Sequence, residues 1–318
     1  MTGWMIAGGL VLLFFGGELL VRGAVLLAHR LGVSCLMIGL TIVGFGTSTP
    51  ELVTSLQAVM ESAPGIAVGN IVGSNIANVL LIVGIAALIC PIPCNQRIVL
   101  RDGGLMLAAS LALLALSVGG VLDRVDGALL TFGLAGYLWY LWREETAGAN
   151  ATEASRTAAE QNMELPWPGR LHTSVELVLL AGGIVLTVLG GRLLVFGAID
   201  LARSLEVSDT LIGLTIVAVG TSLPELATSV VAAYRRQPDI AYGNIVGSNV
   251  FNVLGIGGVT ALTVPINVPD HVLAFDLPVM IAVTLLMAVF AMTGARLTRT
   301  EGAVLLCGYG TYIALISL

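Results

Sequence analysis

Ten long apolar runs, joined by short polar turns, decide what this chain of 318 residues can fold into. They cover residues 4–28, 33–60, 66–90, 103–121, 125–142, 174–199, 208–234, 240–264, 272–293 and 300–318. About 20 apolar residues in a helix cross the hydrocarbon core of a bilayer, so each run is long enough for a transmembrane helix. Charged residues make up only 11% of the chain, against about 25% in a soluble domain. The sequence therefore predicts an all-α polytopic membrane protein with ten transmembrane helices. It excludes a disordered chain, a nucleic-acid-binding protein and a disulfide scaffold.

The distribution of arginine predicts how these helices are oriented. All 14 basic residues are arginines, and positively charged loops stay on the cytoplasmic side of a membrane. The loops after the first, third, fifth, seventh and ninth runs hold Arg30, Arg97, Arg101, Arg143, Arg156, Arg170, Arg235, Arg236, Arg296 and Arg299. The opposite loops hold only Arg124 and Arg203. We therefore expect a multi-pass protein of the plasma (inner) membrane, with both termini outside and the segment 143–172 in the cytoplasm.

The chain contains two copies of one sequence unit. GLTIVGFGTSTPELVTS (39–55) matches GLTIVAVGTSLPELATS (213–229), and GNIVGSNIANVL (69–80) matches GNIVGSNVFNVL (243–254). The offset between the copies is constant, and 31 of the 50 positions in 38–87 are identical to their partners in 212–261. Each copy holds five runs, an odd number, so the second copy enters the membrane from the opposite side. The sequence thus predicts two inverted-topology five-helix repeats, 1–142 and 173–318, joined by a connecting loop at 143–172.

Each repeat places one glutamate deep in an apolar run, directly after a helix-breaking sequence. GFGTSTPE ends at Glu51, and AVGTSLPE ends at Glu225. Glycine, hydroxyl residues and proline in this order are typical of a point where one helix stops and the next begins, with a hydroxyl as the cap. A kinked helix alone would account for one copy, but not for two carboxylates at symmetric places. A carboxylate inside a membrane costs several kcal/mol unless it is paired or coordinated. The second, third, seventh and eighth runs hold no basic residue, so we expect a bound cation.

The oxygen atoms near the two glutamates suit calcium. Two carboxylates offer up to four oxygens, and the helix breaks can expose the carbonyls of Thr47 and Thr221. Ca2+ takes roughly six to eight oxygen ligands, and the absence of His and Cys from these motifs disfavours zinc and copper. The neighbouring runs repeat one pair of polar residues at i, i+4 spacing, on one helical face: Ser74 with Asn78, and Ser248 with Asn252. Taken alone, such residues more often hydrogen-bond neighbouring helices, but their constant distance from each glutamate makes them candidate ligands.

These motif pairs, GTSTPE with GNIVGSNIAN and GTSLPE with GNIVGSNVFN, resemble the two α-repeats of the sodium/calcium exchangers. The resemblance covers all ten runs and is greatest for the short prokaryotic members of the cation/Ca2+ exchanger superfamily. It implies a compact core formed by runs 2–5 and 7–10, across which the long first and sixth helices slide. It also implies a secondary active antiporter rather than an enzyme, exchanging several Na+ for one Ca2+ by alternating access and extruding Ca2+ from the cell.

The resemblance also implies a role for each residue of the motifs. Glu51 and Glu225 would be the carboxylates shared by Ca2+ and Na+, with the carbonyls of Thr47 and Thr221 in the Ca2+ shell. Asn78 and Asn252 would close the centre of the site. The implied flanking sodium sites are Ser48, Ser74 and the Gly44 carbonyl, and Ser222, Ser248 and the Ala218 carbonyl. K+-dependent relatives carry Asp at the position of Asn252, so the neutral residue here implies exchange that needs no K+.

Two alternative functions stay open at this point. The first is H+/Ca2+ exchange, in which Glu51 and Glu225 would titrate. The second is a cation channel, although an inverted repeat with broken helices is typical of carriers. Two carboxylates cannot hold several Na+ without net positive charge, so Na+/Ca2+ exchange would be electrogenic. The expected partners are Ca2+, Na+ and the lipid bilayer, with no cofactor and no obligate protein partner.

One further charged pair, Glu18 and Arg192, occupies matching positions in the first and sixth runs. The two side chains could pair across the molecule if these helices pack together. Glu18 also has Arg22 four residues later, which is the spacing of a local ion pair on a helix. We predict the local pair, or separate placement of the charges near the membrane interfaces, because Arg22 lies nearer the inner end of its run and Arg192 nearer the outer end of its own.

Overall fold

The structure, a computed structural model, describes residues 2–148, 173–205 and 218–316. Helices make up most of these residues. They are α1 (Thr2–Leu31), α2 (Cys35–Thr47), α3 (Thr49–Met60), α4 (Pro64–Ile89), α5 (Gln96–Ser117), α6 (Arg124–Gly148), α7 (Thr173–Ser204), α8 (Ala218–Gly220), α9 (Leu223–Tyr234), α10 (Pro238–Thr263), α11 (Val272–Ala295) and α12 (Arg299–Ile316). The strands in these ranges are β1 (Ile92–Pro93), β2 (Val121–Leu122), β3 (Ile266–Asn267) and β4 (Arg296–Leu297).

The described part of the chain contains six helices that are long and apolar enough to cross a membrane, namely α1, α4, α5, α7, α10 and α11. The number rises to seven if the bent pair α2 and α3 forms one span. The other runs that the sequence predicts to cross correspond to the less apolar helices α6 and α12, and to residues 208–234. Of this last run the structure describes only the part from residue 218.

Two helix boundaries differ from those predicted by hydropathy. α5 begins at Gln96 rather than near 103, because the Asn95 side chain accepts a hydrogen bond from the Arg97 backbone N–H (2.9 Å) and caps the helix. α6 continues to Gly148, beyond the predicted end at 142. The remainder of the predicted connecting loop, 149–172, lies outside the described residues, so its placement stays a prediction.

The predicted helix break is present in the second run. α2 ends at Thr47, α3 begins at Thr49 with Pro50 in its first turn, and the two helices are bent by 43°. The second repeat has the same arrangement, with α8 ending at Gly220 and α9 carrying Pro224 in its first turn. The expected hydroxyl caps are wrong, however, because neither Ser48 nor Ser222, the residue before each new helix, makes a capping hydrogen bond through its side chain. Its side chain is thereby free for other contacts.

α1 and α7 form a closely packed antiparallel pair. Each carries glycines at seven-residue spacing, which places them on one helical face: Gly9, Gly16 and Gly23 in α1, and Gly183, Gly190 and Gly197 in α7. A Cβ atom at Gly16 would lie 2.6 Å from the backbone nitrogen of Thr187, and one at Gly23 would lie 2.6 Å from that of Leu180. Small residues allow this approach of two backbones in a membrane.

A paired substitution in α7 tests this packing. The Cβ of Gly183→Ala would meet the backbone nitrogen of Leu20, whereas the Cβ of Gly182→Ala has no described atom within 4 Å. We expect Gly183→Ala to cost about 1–3 kcal/mol of stability through overpacking and to lower the melting temperature of the purified protein. Gly182→Ala gains helix propensity of up to about 1 kcal/mol and leaves the melting temperature unchanged or raised. Equal effects of the two substitutions would contradict the close contact.

The short strands connect the two repeats at opposite ends of the helices. β1 pairs antiparallel with β4, through Ile92 and Leu297, and β2 pairs with β3, through Leu122 and Ile266. Because α5 runs from β1 to β2, the two strand pairs lie at opposite ends of this helix. We call these ends of the molecule the β1–β4 face and the β2–β3 face.

The core lies around α4 and α10, whose middle turns widen into π-helical segments at Asn78–Val83 and Phe251–Gly257. Such segments inside α-helices are frequent at functional sites. The π-helical part of α10 contacts α3, and that of α4 contacts α9. The helices that carry the two glutamates therefore pack on the asparagine-bearing turns of the opposite repeat.

Candidate functional site

The two glutamates predicted to bind a cation are buried, and each is held by the other repeat. Glu51 lies in the first turn of α3 and Glu225 in the first turn of α9, and both are at most 1% exposed. The Ser48 hydroxyl donates to Glu225 Oε1 at 2.8 Å, and the Ser222 hydroxyl donates to Glu51 Oε1 at 3.2 Å. The serines that do not cap their own helices thus join the two repeats through the carboxylates.

Asn78 and Asn252 lie in the π-helical segments and are fully buried. The Asn252 amide donates to Ser74 Oγ at 3.1 Å and to Asn75 Oδ1 at 3.3 Å. The Asn78 amide donates to Asn249 Oδ1 at 3.4 Å. In both cases the NH2 group points to the other repeat, which leaves the amide oxygen available.

Four of these acidic and amide oxygens have no hydrogen-bond partner among the described residues. They are Glu51 Oε2, Glu225 Oε2, Asn78 Oδ1 and Asn252 Oδ1, and all four are buried. Buried oxygens are nearly always paired, and leaving one unpaired costs about 1–3 kcal/mol, more if it is charged. All four atoms are acceptors, so the missing partners are hydrogen-bond donors or a cation. Carboxylate and amide oxygens are ligands that Ca2+ accepts.

A second layer of asparagines fixes the glutamate-bearing helices, and the sequence analysis missed it. The Asn70 amide donates to the Glu51 carbonyl (3.1 Å) and to Ser55 Oγ (3.0 Å), while its oxygen accepts from the Thr221 hydroxyl (3.4 Å). Asn244, the matching residue of the second repeat, makes the same contacts with Glu225, Ser229 and Thr47. The available signal was that both asparagines and both serines are identical in the two copies.

The structure also shows the hydrogen bonds of the residues predicted to form the flanking sodium sites, whose grouping stays a prediction. The Gly44 carbonyl, which the resemblance groups with Ser74, accepts a hydrogen bond from the Ser248 hydroxyl at 3.0 Å. The reason is that α2 packs on α10, where a Cβ at Gly44 would lie 2.9 Å from the Ser248 nitrogen. The Ser74 hydroxyl turns back to the Asn70 carbonyl at 2.6 Å. Ala218 begins α8, and its carbonyl stays a predicted ligand, as do those of Thr47 and Thr221.

Glu18 forms the predicted local ion pair. Arg22 Nε lies 2.5 Å from Glu18 Oε1, so the cross-molecule pair with Arg192 is not formed. Sequence reasoning did not find the second partner, Arg235 at the end of α9, whose guanidinium donates two hydrogen bonds to the same carboxylate at 2.8 and 2.5 Å. This contact ties α1 to the helix that carries Glu225.

Comparisons with known proteins identify the family of this chain. The model of the sodium/calcium exchanger protein family matches residues 1–143 and 175–318. The sodium/calcium exchanger MaX1 of Methanosarcina acetivorans is 34% identical over 97% of this chain and 96% of its own length. The inner membrane protein YrbG of Escherichia coli is also 34% identical, over 97% of this chain and 94% of its own.

Solved structures of a sodium-calcium exchanger have a fold similar to that of this chain. The sodium-calcium exchanger NCX_Mj, in crystals soaked without Na+ and Ca2+, aligns with a TM-score of 0.83 and 29% identity over 99% of this chain and 98% of its own. NCX_Mj soaked with 10 mM Na+ and 10 mM Sr2+ aligns equally well, at 30% identity. The family match covers nearly the whole chain, including both glutamate motifs, and the chain therefore belongs to the sodium/calcium exchanger family.

Proposed function

We propose that this protein is an antiporter that exchanges Na+ for Ca2+ across the plasma membrane by alternating access. The observation that carries the proposal is the set of four buried oxygens without partners at Glu51, Glu225, Asn78 and Asn252. They belong to two acids and two neutral amides, so a bound Ca2+ balances the charge of the acids. The name of the relative MaX1 as a sodium/calcium exchanger supports Na+ as the second ion.

The proposed ligands are those of the two repeated motifs. The carboxylates of Glu51 and Glu225 bind either ion, and the other groups complete the Ca2+ and Na+ shells in turn. These groups are the carbonyls of Gly44, Thr47, Ala218 and Thr221, the hydroxyls of Ser48, Ser74, Ser222 and Ser248, and the amides of Asn78 and Asn252. No resident cofactor is needed for this transport.

The proposal includes ten membrane crossings in two inverted halves, 1–142 and 173–318. The strand pairs support it, because β1 and β3 occupy equivalent positions in the two repeats, yet belong to different faces. The antiparallel packing of α1 on α7 agrees with the same inversion. Arginine-rich loops stay inside, so we assign the β1–β4 face, near Arg97 and Arg296, to the cytoplasm. Both termini then lie outside.

A cavity of about 420 Å³ supports alternating access. It is lined by Ser74 and Thr221 of the site, and it extends past Ile66, at the start of α4, to Ile316, at the end of α12. Both of these helix ends lie at the β2–β3 face, because β1 follows the other end of α4 and β4 precedes the other end of α12. The site is thus reached from the proposed outer side.

The charges of the site predict the energetics of exchange. One Ca2+ neutralises Glu51 and Glu225, whereas three or more Na+ leave net positive charge, so the sodium-loaded state carries charge across the membrane. A tenfold Na+ gradient contributes about 1.4 kcal/mol per ion, and each net charge adds roughly 2.3 kcal/mol per 100 mV. Several Na+ entering per cycle can therefore extrude Ca2+ against a large gradient.

Transport into proteoliposomes tests the function. Vesicles loaded with Na+ and diluted into Na+-free, K+-free buffer should take up 45Ca2+, and an inside-positive voltage should accelerate uptake because net positive charge leaves with sodium. Replacing internal Na+ with choline should abolish uptake. Uptake that follows a pH gradient and ignores Na+ would establish H+/Ca2+ exchange instead. Ca2+ flux that needs no counter-ion and does not saturate would indicate a channel.

A further inference from the structure

The cavity at the β2–β3 face contains a charged cluster outside the motifs of the transport site. Its described lining includes the acid Asp276, His271 and the tyrosines Tyr309 and Tyr312. Asp276 lies at the end of a π-helical segment, Val272–Asp276, at the start of α11. Neither α4 nor α3 adds a charged side chain to the described lining, which on these helices is apolar, amide or hydroxyl. Glu51 and Glu225 are not among the described lining residues.

The cluster is built around the Asp276 carboxylate. His271 Nδ1 lies 3.0 Å from Asp276 Oδ2, and the Tyr312 hydroxyl donates to Asp276 Oδ1 at 3.0 Å. The Asp276 side chain is 12% exposed, whereas that of His271 is 62% exposed. The carboxylate is therefore fixed in the wall of the cavity, while the imidazole is open to the outer solution.

The same position in the first repeat has a different partner. Asp102, the residue that matches Asp276, is fully buried and receives two hydrogen bonds from the Arg101 guanidinium, at 2.7 and 2.9 Å. Arginine stays charged at all physiological pH values, so the charge of Asp102 is always balanced. The residue that corresponds to Arg101 beside Asp276 is Phe275. Among the described residues, the basic partner of this outer acid is therefore His271, which balances it when protonated.

We propose that Asp276 is the residue that attracts cations into the outer cavity, and that His271 controls how much of its charge is available. Asp276 acts through its field and is not part of the transport site. The inference rests on the proposed exchange of Na+ and Ca2+, to which it adds an entry residue on one side of the membrane.

The physical basis is the focusing of charge in a cleft with low-dielectric walls, which raises the local concentration of counter-ions. This enrichment depends exponentially on ion valence. A potential that concentrates Na+ about threefold concentrates Ca2+ about ninefold. Loss of the carboxylate therefore weakens the apparent affinity for external Ca2+ more than that for external Na+.

The effect of pH follows from the imidazole. Histidine changes its charge between about pH 5 and pH 8. A neutral imidazole leaves the cavity the full charge of Asp276. An imidazolium forms an ion pair with Asp276 and cancels its field. Tyr309 and Tyr312, the other titratable groups of the cluster, stay neutral throughout this range.

Na+-driven 45Ca2+ uptake, measured with Ca2+ and the pH varied only on the β2–β3 side, tests the role of Asp276. Asp276→Asn should raise the KM for external Ca2+ by about fivefold to tenfold at low ionic strength, with little change in maximal rate. High choline chloride should remove this difference, because salt screens the field. The matched control is Asp270→Asn, which removes the same charge from an exposed position outside the described cavity lining.

His271→Gln separates the pH control from a structural effect. At about pH 6 this variant should bind external Ca2+ several-fold more tightly than the wild type, a gain that misfolding does not produce. In the Asp276→Asn background the same substitution should have no further effect, as expected for two groups that act together. Unchanged KM in Asp276→Asn, or a KM change that salt does not remove, would overturn the inference. Absence of Na+-dependent uptake by the wild type would instead count against the proposed function.

Discussion

Glu51→Gln and Glu225→Gln are each expected to abolish Ca2+ transport while leaving the protein folded. Each substitution keeps the volume of the side chain and removes one of the two charges that balance Ca2+. The bound ion would then carry an uncompensated charge in a site that is at most 1% exposed. Breaking a buried charge pair in this way costs about 3–5 kcal/mol, which corresponds to a loss of at least about a hundredfold in affinity.

The measurement is 45Ca2+ uptake into proteoliposomes, together with the rise in melting temperature on adding Ca2+. A ligand stabilises the protein it binds in proportion to the logarithm of its concentration over Kd, so the Ca2+-dependent rise should disappear in both variants. Glu61→Gln is the matched control, because Glu61 follows the same helix, α3, but is exposed. Near-normal uptake by either site variant would refute the proposed binding site.

The parts of this site that sequence could predict are those that depend on one repeat at a time. A buried glutamate after a glycine–hydroxyl–proline break is visible in either copy, and the constant offset between the copies then indicates that both serve one purpose. The bend between α2 and α3 follows from local backbone chemistry around Pro50. These features need no knowledge of how the helices pack.

Contacts between the repeats could not be predicted in the same way. A hydroxyl of the motif was expected to cap the new helix, but that of Ser48 donates a hydrogen bond to Glu225 of the other repeat. Asn70 and Asn244 were not among the predicted site residues, yet each holds a glutamate-bearing helix and a threonine from the opposite half. Hydroxyl and amide groups can hydrogen-bond to either a local or a distant partner. Helix packing therefore decides which partner such a side chain has.

The end of α6 also depends on a contact with a distant part of the chain, which hydropathy does not show. Hydropathy placed its end at residue 142, where the apolar run stops, but the helix continues to Gly148. The backbone N–H and hydroxyl of Ser34, at the start of α2, donate to the Glu145 carboxylate in this extension. A polar helical turn is stabilised here by a contact that lies 111 residues away in sequence.

Asn252→Asp is expected to change which ions the exchanger needs. In the wild type the Asn252 amide donates to Ser74 Oγ and Asn75 Oδ1, and the site holds only the two charges of Glu51 and Glu225. Adding K+ should therefore alter Na+-driven Ca2+ uptake by the wild type by less than about twofold. The substitution removes both donated hydrogen bonds and adds a third carboxylate to the proposed site. Three buried carboxylates in one site do not all stay ionised unless another cation joins them.

The variant should consequently take up a proton or K+ as an additional ion. At neutral pH without K+ we expect its Ca2+ uptake to fall by roughly tenfold or more, since a shift of one unit in proton affinity changes occupancy tenfold. Uptake should recover at higher pH or on addition of K+. At the matching position of the first repeat, the wild-type Asn78 amide donates one hydrogen bond, at 3.4 Å. Asn78→Asp should therefore show the same dependence with a smaller loss. If the wild type itself requires K+, the neutral asparagine does not set ion coupling. If Asn252→Asp transports normally in K+-free buffer at neutral pH, then Asn252 lies outside the electrostatic reach of the bound ions.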